Sequence, residues 1–257
     1  MTNILRSDLY RFGKSKLLYG IMMFTGILAF FLMMVMRQDI RVGISVFGNL
    51  TAFKGIEDII RIGTEYQKGL GILVAILISV LIGQEYQWKT WQHKWIINKN
   101  RTQIYLSKAL LSSATSVAVF LLFEMIALFS SGQIKNILMS EYVALVICGV
   151  AIYAALGSVI CLLAMLIKNN TISIIVCLCY VLFSETLWSA IRNLSSFSSS
   201  VVKIVELGMR HSIYGMSTIV SSTSFSADMA IRVVINSVVI MLMATVFGFF
   251  VFRKYEL

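Results

Sequence analysis

Apolar residues in this chain fall in long unbroken runs separated by short polar stretches, not in the period-two alternation of half-buried strands. A membrane-spanning helix needs ~20 mainly apolar residues. Six runs have that character, at about 17–36, 65–83, 109–130, 142–167, 171–191 and 233–252. The pattern predicts an all-α, polytopic membrane protein in which six transmembrane helices form a single domain over residues 1–257. The fourth run is long enough to tilt. No small-residue cleavage site follows the first run, so it is expected to stay as an uncleaved span.

The polar stretches carry patterns of their own. Before the first run, Leu5, Leu9 and Phe12 fall on one helical face and Asn3, Ser7 and Lys14 opposite. That spacing predicts an amphipathic helix on the membrane surface, with Arg6, Arg11, Lys14 and Lys16 among the headgroups. Within the connection 37–68, Ile56, Ile59 and Ile60 repeat at helical spacing. The Ser-rich connection 192–232 holds an amphipathic insert, Val201 to Met209. Only Lys168, Asn169 and Asn170 separate the fourth and fifth runs.

Composition narrows the class. Hydrophobic residues make up 58% of the chain, charged residues 13%, and proline is absent. Soluble domains run near 45–50% apolar and ~25% charged, so a soluble enzyme and a disordered chain are both excluded. Six spans leave little chain for an aqueous domain, and no glycine-rich phosphate loop is present, so any ATP hydrolysis must come from another chain. The net charge of +10 would suggest nucleic acid in a soluble protein. In a membrane protein it points to inside-positive loops and anionic lipid heads instead. The termini, 84–108 and the Lys168 turn together hold 12 Lys and Arg and a net +9, against 10 and +3 for the other connections. Both termini are therefore expected in the cytoplasm.

Little in the sequence supports catalysis. His93 and His211 belong to no metal-binding spacing. Cys148, Cys161, Cys177 and Cys179 lie in apolar runs and read as packing residues. Ser158 has no histidine in any span to act as its base. Ala154, Ala155, Gly157 and Ser158 read as a close helix-packing face. No catalytic residue, cofactor or metal is expected in this chain.

Two places hold candidate function. Three of the four tryptophans lie within residues 88–95. On a helix Trp88, Trp91 and Trp95 share a face, with His93 and Lys94 turned away. An interfacial anchor and a docking helix for a cytosolic partner both fit this pattern. Glu124 and Glu185 are the ionisable residues inside the apolar runs, where a charge costs a few kcal/mol. Each reads as a structural hydrogen-bonding residue, as the lining of a pathway for cationic substrate, or as a proton-coupling site. Phe183 and Trp188 flank Glu185 in a possible vestibule.

A span ending Ile82-Gly83-Gln84-Glu85, then Trp88-Lys89-Thr90, then Asn100-Arg101, then Lys108 opening the next span, resembles the type-2 ABC transporter permeases. The N-terminal surface helix, the six spans and the ending Phe252-Arg253-Lys254-Tyr255-Glu256-Leu257 fit the same layout. Two positions depart from it: Lys89 stands where the family usually has glycine, and Ile97-Asn98-Lys99-Asn100 lacks a common proline. The likeness is greatest to small bacterial permeases for bacteriocins, lantibiotics and other antimicrobial peptides.

The resemblance implies a bacterial cell membrane location and two permease subunits, as a homodimer or heterodimer. It also implies cytosolic ATPase subunits that hold ATP and Mg. A coupling helix after the second span would dock on the ATPase, with Glu85, Trp88, Lys89, Trp91, Lys94, Trp95 and Arg101 at that junction. A carboxylate at the depth of Glu85 needs an arginine or helix-end partner. The local alternative is an i,i+4 pair with Lys89. Two other readings stand beside the permease: a proton-driven carrier using Glu124 or Glu185, and a non-transporting immunity protein that sequesters peptide at 37–68 and 192–232.

Overall fold

In the computed structural model the described residues are 2–37, 61–88, 90, 101–131, 140–195, 199–222 and 226–254. Among them every regular element is helical. In chain order these are α1 (Thr2–Gly13), α2 (Lys16–Arg37), a 3-10 turn (Tyr66–Lys68), α3 (Leu70–Gln87), α4 (Arg101–Ser131), α5 (Ser140–Leu166), α6 (Asn170–Leu182), α7 (Ser184–Ser195), α8 (Ser199–His211), α9 (Ile213–Ser221) and α10 (Ala227–Lys254). A further helical turn covers 61–64. Five helices are long and apolar enough to cross a membrane. α6 and α7, bent by 57° at a short break, form either a broken span or a re-entrant loop, so the described residues hold five candidate spans, or six when that pair counts as one.

Five of the six expected spans are single long apolar helices and the fifth is the bent α6–α7 pair, and their ends move. The second begins at Leu70 instead of residue 65, because Gly69 takes φ 144°, ψ −61° and separates the 3-10 turn from the helix. Glycine adopts that backbone without a Cβ penalty. The same helix runs on through Glu85 to Gln87. The third starts at Arg101, eight residues before the apolar run, and so takes in Ser107 and Lys108, both fully buried. The sixth starts at Ala227. The fifth breaks at Phe183, whose N–H still donates to the Cys179 carbonyl at 2.9 Å. The insert expected at 201–209 is helix α8, and α9, which the hydropathy did not suggest, follows it. The pattern around Ile56, Ile59 and Ile60 lies outside the described residues.

α5 is the central helix, and small residues let its neighbours close on it. A Cβ at Gly157 would lie 2.6 Å from the Ser112 carbonyl and 2.9 Å from the Ser113 Cα. Only hydrogen fits there, so α4 and α5 touch backbone to backbone. Along the same seam Ser116 Oγ donates to the Tyr153 carbonyl at 2.5 Å, and Phe120 stacks on Tyr153 with centroids 4.8 Å apart. α10 is fixed to α4 by Tyr105, whose hydroxyl donates to the Ala244 carbonyl at 2.9 Å and whose ring stacks on Phe252 at 5.1 Å.

α2 and α10 keep their other faces outward, with Phe24, Phe30, Phe31, Leu242, Phe247 and Phe250 more than half exposed. Such apolar surface is stable against lipid tails. The chain is a multi-pass membrane protein.

Candidate functional site

The densest polar arrangement lies where α1, α3 and α4 meet. On α1, Ile4, Asp8 and Phe12 are buried at i, i+4 spacing, and Leu9 is 53% exposed. The packed face is thus rotated by one residue from the expected Leu5–Leu9–Phe12 stripe. The reason is Asp8. It is fully buried, accepts from Ser107 Oγ at 2.9 Å, and pairs with Lys108 Nζ at 3.0 Å. A buried charge is tolerated only when paired and hydrogen-bonded, so this ion pair sets the rotation of α1.

Lys108 also donates to Glu85 Oε1, and Arg11 Nη2 lies 2.5 Å from the same oxygen. The Lys108 ammonium stands 5.3 Å from the Phe12 ring centroid, a cation–π distance. Arg11 reaches further, donating to the Leu81 carbonyl at 3.3 Å and to Thr90 Oγ1 at 3.5 Å. Thr90 Oγ1 donates in turn to the Glu85 carbonyl at 3.3 Å. Two carboxylates and two cations from three helices therefore form a neutral cluster. Asp8, Glu85 and Lys108 are withdrawn from solvent, and Arg11 is one-third exposed at the edge.

The end of α3 also meets the fourth–fifth span turn. Tyr86 Oη donates to the Met165 carbonyl at 3.0 Å, and Asn170 Nδ2 donates to Gln87 Oε1 at 3.3 Å. Asn170 packs over Gly83, where a Cβ would come within 2.1 Å of its Oδ1. Asn169 caps α6, accepting from the Thr171 and Ile172 N–H groups. Gly83, Glu85, Tyr86 and Gln87, all in the last two turns of α3, thus contact α1, α4 and the turn before α6.

The family model of ABC-2 family transporter proteins matches residues 4–184. The chain belongs to that family. The match takes in most of α1, the Glu85 cluster and helices α2 to α6. No curated protein matches the chain in sequence. As an ABC-2 family member it is the permease subunit of an ABC transporter, a role that implies association with an ABC ATPase.

In this ABC-2 chain Glu85 is paired with Arg11 and Lys108, groups brought by other helices. The arginine partner expected on physical grounds is present. Trp88 caps α3 and is 62% exposed. Arg101 is the first residue of α4. Lys89, Trp91, Lys94 and Trp95 lie outside the described residues, so the expected coupling helix does too. Sequence reasoning missed Asp8, Ser107 and the pairing role of Lys108. The available signal was an aspartate at i+4 from Ile4 and i−4 from Phe12.

Glu124 and Glu185, grouped in the sequence, separate in the structure. Glu124 is 3% exposed, and neither carboxyl oxygen has a hydrogen-bond partner among the described residues. It packs against Gly63, whose Cβ, if present, would meet Oε1 at 2.0 Å, and Tyr153 Oη donates to the Gly63 carbonyl at 2.7 Å. Among the described residues this carboxyl is buried inside the protomer. Glu185 is exposed in the first turn of α7, beside the exposed Phe183, so it is not inside the bundle. Trp188 turns toward α8, where a Cβ on Gly208 would stand 3.5 Å from its ring. Near the start of α3, burial and the neighbouring Tyr180 push the Tyr66 phenol well above its ordinary range.

Proposed function

We propose that this permease exports an amphipathic peptide or hydrophobic drug, as in antimicrobial-peptide export or bacteriocin immunity. ATP and Mg are held and hydrolysed by separate cytosolic subunits. The pathway forms with a second permease subunit, identical or homologous, and both termini face the cytoplasm of a bacterial cell. This chain performs no catalysis itself.

The Glu85–Lys108–Asp8–Arg11 cluster is the observation that supports this reading. The tryptophan-rich segment 88–95 begins directly after α3. A displacement of that segment by the ATPase enters the membrane part at Glu85. Arg11 and Lys108 hand it to α1 and α4 together, while Tyr86 and Gln87 hand it to the turn before α6. Ion pairs buried at this depth transmit motion because separating them costs several kcal/mol. The three helix ends consequently move as a unit.

The direct test uses tagged protein purified gently from its native membranes. A soluble ATPase should co-purify in stoichiometric amount, and amphipathic peptide should stimulate its ATP hydrolysis. Glu85→Gln and Trp91→Ala should then lower peptide-dependent transport while membrane insertion stays normal. Full transport in both variants would overturn the coupling role. A preparation without ATPase that still transports would favour the proton-driven carrier.

A further inference from the structure

At the end of the bundle opposite the Glu85 cluster, α7, α8 and α9 border a half-open cavity of about 240 Å³. Its corner is built tightly. Ser212 caps α9, accepting from the Gly215 N–H at 3.0 Å, and its hydroxyl donates to the Met209 carbonyl at 2.6 Å. A Cβ on Gly215 would lie 1.9 Å from that carbonyl oxygen, so only glycine lets α9 start so close to the end of α8. The cavity therefore has fixed walls.

Arg192 from α7 and Arg210 from α8 line it, together with Glu206, Val205, Met209 and Ile219. Both arginines are exposed, while Glu206 is half-buried. The opposite face of α8 presents Ile204 and Leu207, 70% and 60% exposed. A helix with aliphatic residues on one side and Lys203, Glu206 and Arg210 on the other, at the end of a spanning bundle, lies at headgroup depth.

Size and charge select the occupant. The space equals about eight waters at ~30 Å³ each, more than one small ion needs and less than the ~300–1,000 Å³ of drug-sized pockets. Two guanidinium groups favour phosphate, which they bind in forked geometry. Glu206 is an acceptor, so it favours an occupant that also carries a hydrogen-bond donor. Val205, Met209 and Ile219 suit the start of an acyl or glyceryl chain. We infer that this cavity binds the phosphodiester headgroup of a membrane lipid that bears a donor beyond the phosphate, such as an ammonium or a glycerol hydroxyl. The site is independent of what the permease transports.

The experiment is native mass spectrometry of the full-length protein, with its co-purifying chains, titrated separately with phosphatidylglycerol, phosphatidylethanolamine and phosphatidylcholine. The first two should occupy one saturable site. Phosphatidylcholine, whose quaternary ammonium has no N–H, should bind several-fold more weakly. Arg210→Gln should lower occupancy about tenfold, the loss of one charge-assisted contact. Arg232→Gln, which removes an exposed cation on α10 that does not line the cavity, should change nothing.

Equal binding of all three lipids, or equal losses from Arg210→Gln and Arg232→Gln, would overturn the site in favour of diffuse surface charge. Full displacement of lipid by inorganic phosphate at millimolar concentration would overturn the lipid assignment and leave a free-anion site. If Arg210→Gln does not fold, Glu206→Met decides: it removes the acceptor at similar length and should erase the preference against phosphatidylcholine, and an unchanged preference refutes the proposal.

Discussion

Glu85 and Glu124 are the same residue, 1% and 3% exposed, in consecutive spans of one bundle. Their surroundings are opposite. Glu85 sits in the last turn of α3, where a lysine and an arginine from two other helices converge on one oxygen. Glu124 sits near the far end of α4 against a glycine, with neither oxygen hydrogen-bonded among the described residues. The comparison separates two uses of a buried carboxyl. One is a joint, expensive to break because each partner is left buried and uncompensated. The other, without a hydrogen-bond partner among the described residues, is a polar group whose removal relieves a burden.

The largest expected effect comes from Lys108→Met, which takes the central cation away from both Asp8 and Glu85. Breaking a buried pair in this way costs about 3–5 kcal/mol. Thermal unfolding in detergent should show a large fall in Tm or loss of monodisperse protein. Adding Asp8→Asn to that background should recover part of the loss, since the two sites share one network. A Lys108→Met protein as stable as wild type would erase the distinction between the two carboxyls.

Next in size is Gly157→Val on the α4–α5 seam, which holds both ends of the bundle in register. Its side chain must displace the Ser112 and Ser113 backbone, and overpacking of this kind costs about 1–3 kcal/mol. The same melts should resolve it. An unaltered Tm would mean that α4 and α5 separate easily and that the two ends are not rigidly joined.

Much of this was legible in the sequence. The long apolar helices follow from runs near the thickness of a bilayer, a signal that needs no tertiary knowledge. The family follows from Ile82-Gly83-Gln84-Glu85 and the spacing to Arg101 and Lys108. What stayed hidden depends on partners far along the chain. Hydropathy ends α3 before Glu85 and starts α4 after Lys108, because it treats charged residues as loop. The helices continue through both because each charge supplies the other's solvation. Leu5, Leu9 and Phe12 satisfy local periodicity as well as Ile4, Asp8 and Phe12 do, and only Lys108, 100 residues away, chooses between them. The break at Phe183 has no proline to announce it.

The smallest effect is expected where the sequence alone promised one of the largest. Glu124→Met keeps nearly the same length and volume and removes both unpartnered oxygens. Replacing an unsatisfied polar group by an apolar one of similar shape is close to neutral or stabilising. Its unfolding free energy should therefore lie within about 1 kcal/mol of wild type, or above it, with Tm little changed or raised. Set against Lys108→Met, the identical side chain introduced 16 positions earlier in the same helix, this variant isolates environment from residue type. A loss as large as that of Lys108→Met would mean that Glu124 is compensated in some state the cycle requires. Peptide transport in the same variant sharpens the point. Transport that survives removes Glu124 as a proton carrier, whereas a stable Glu124→Met protein that cannot transport would assign this sealed carboxyl a part in the cycle.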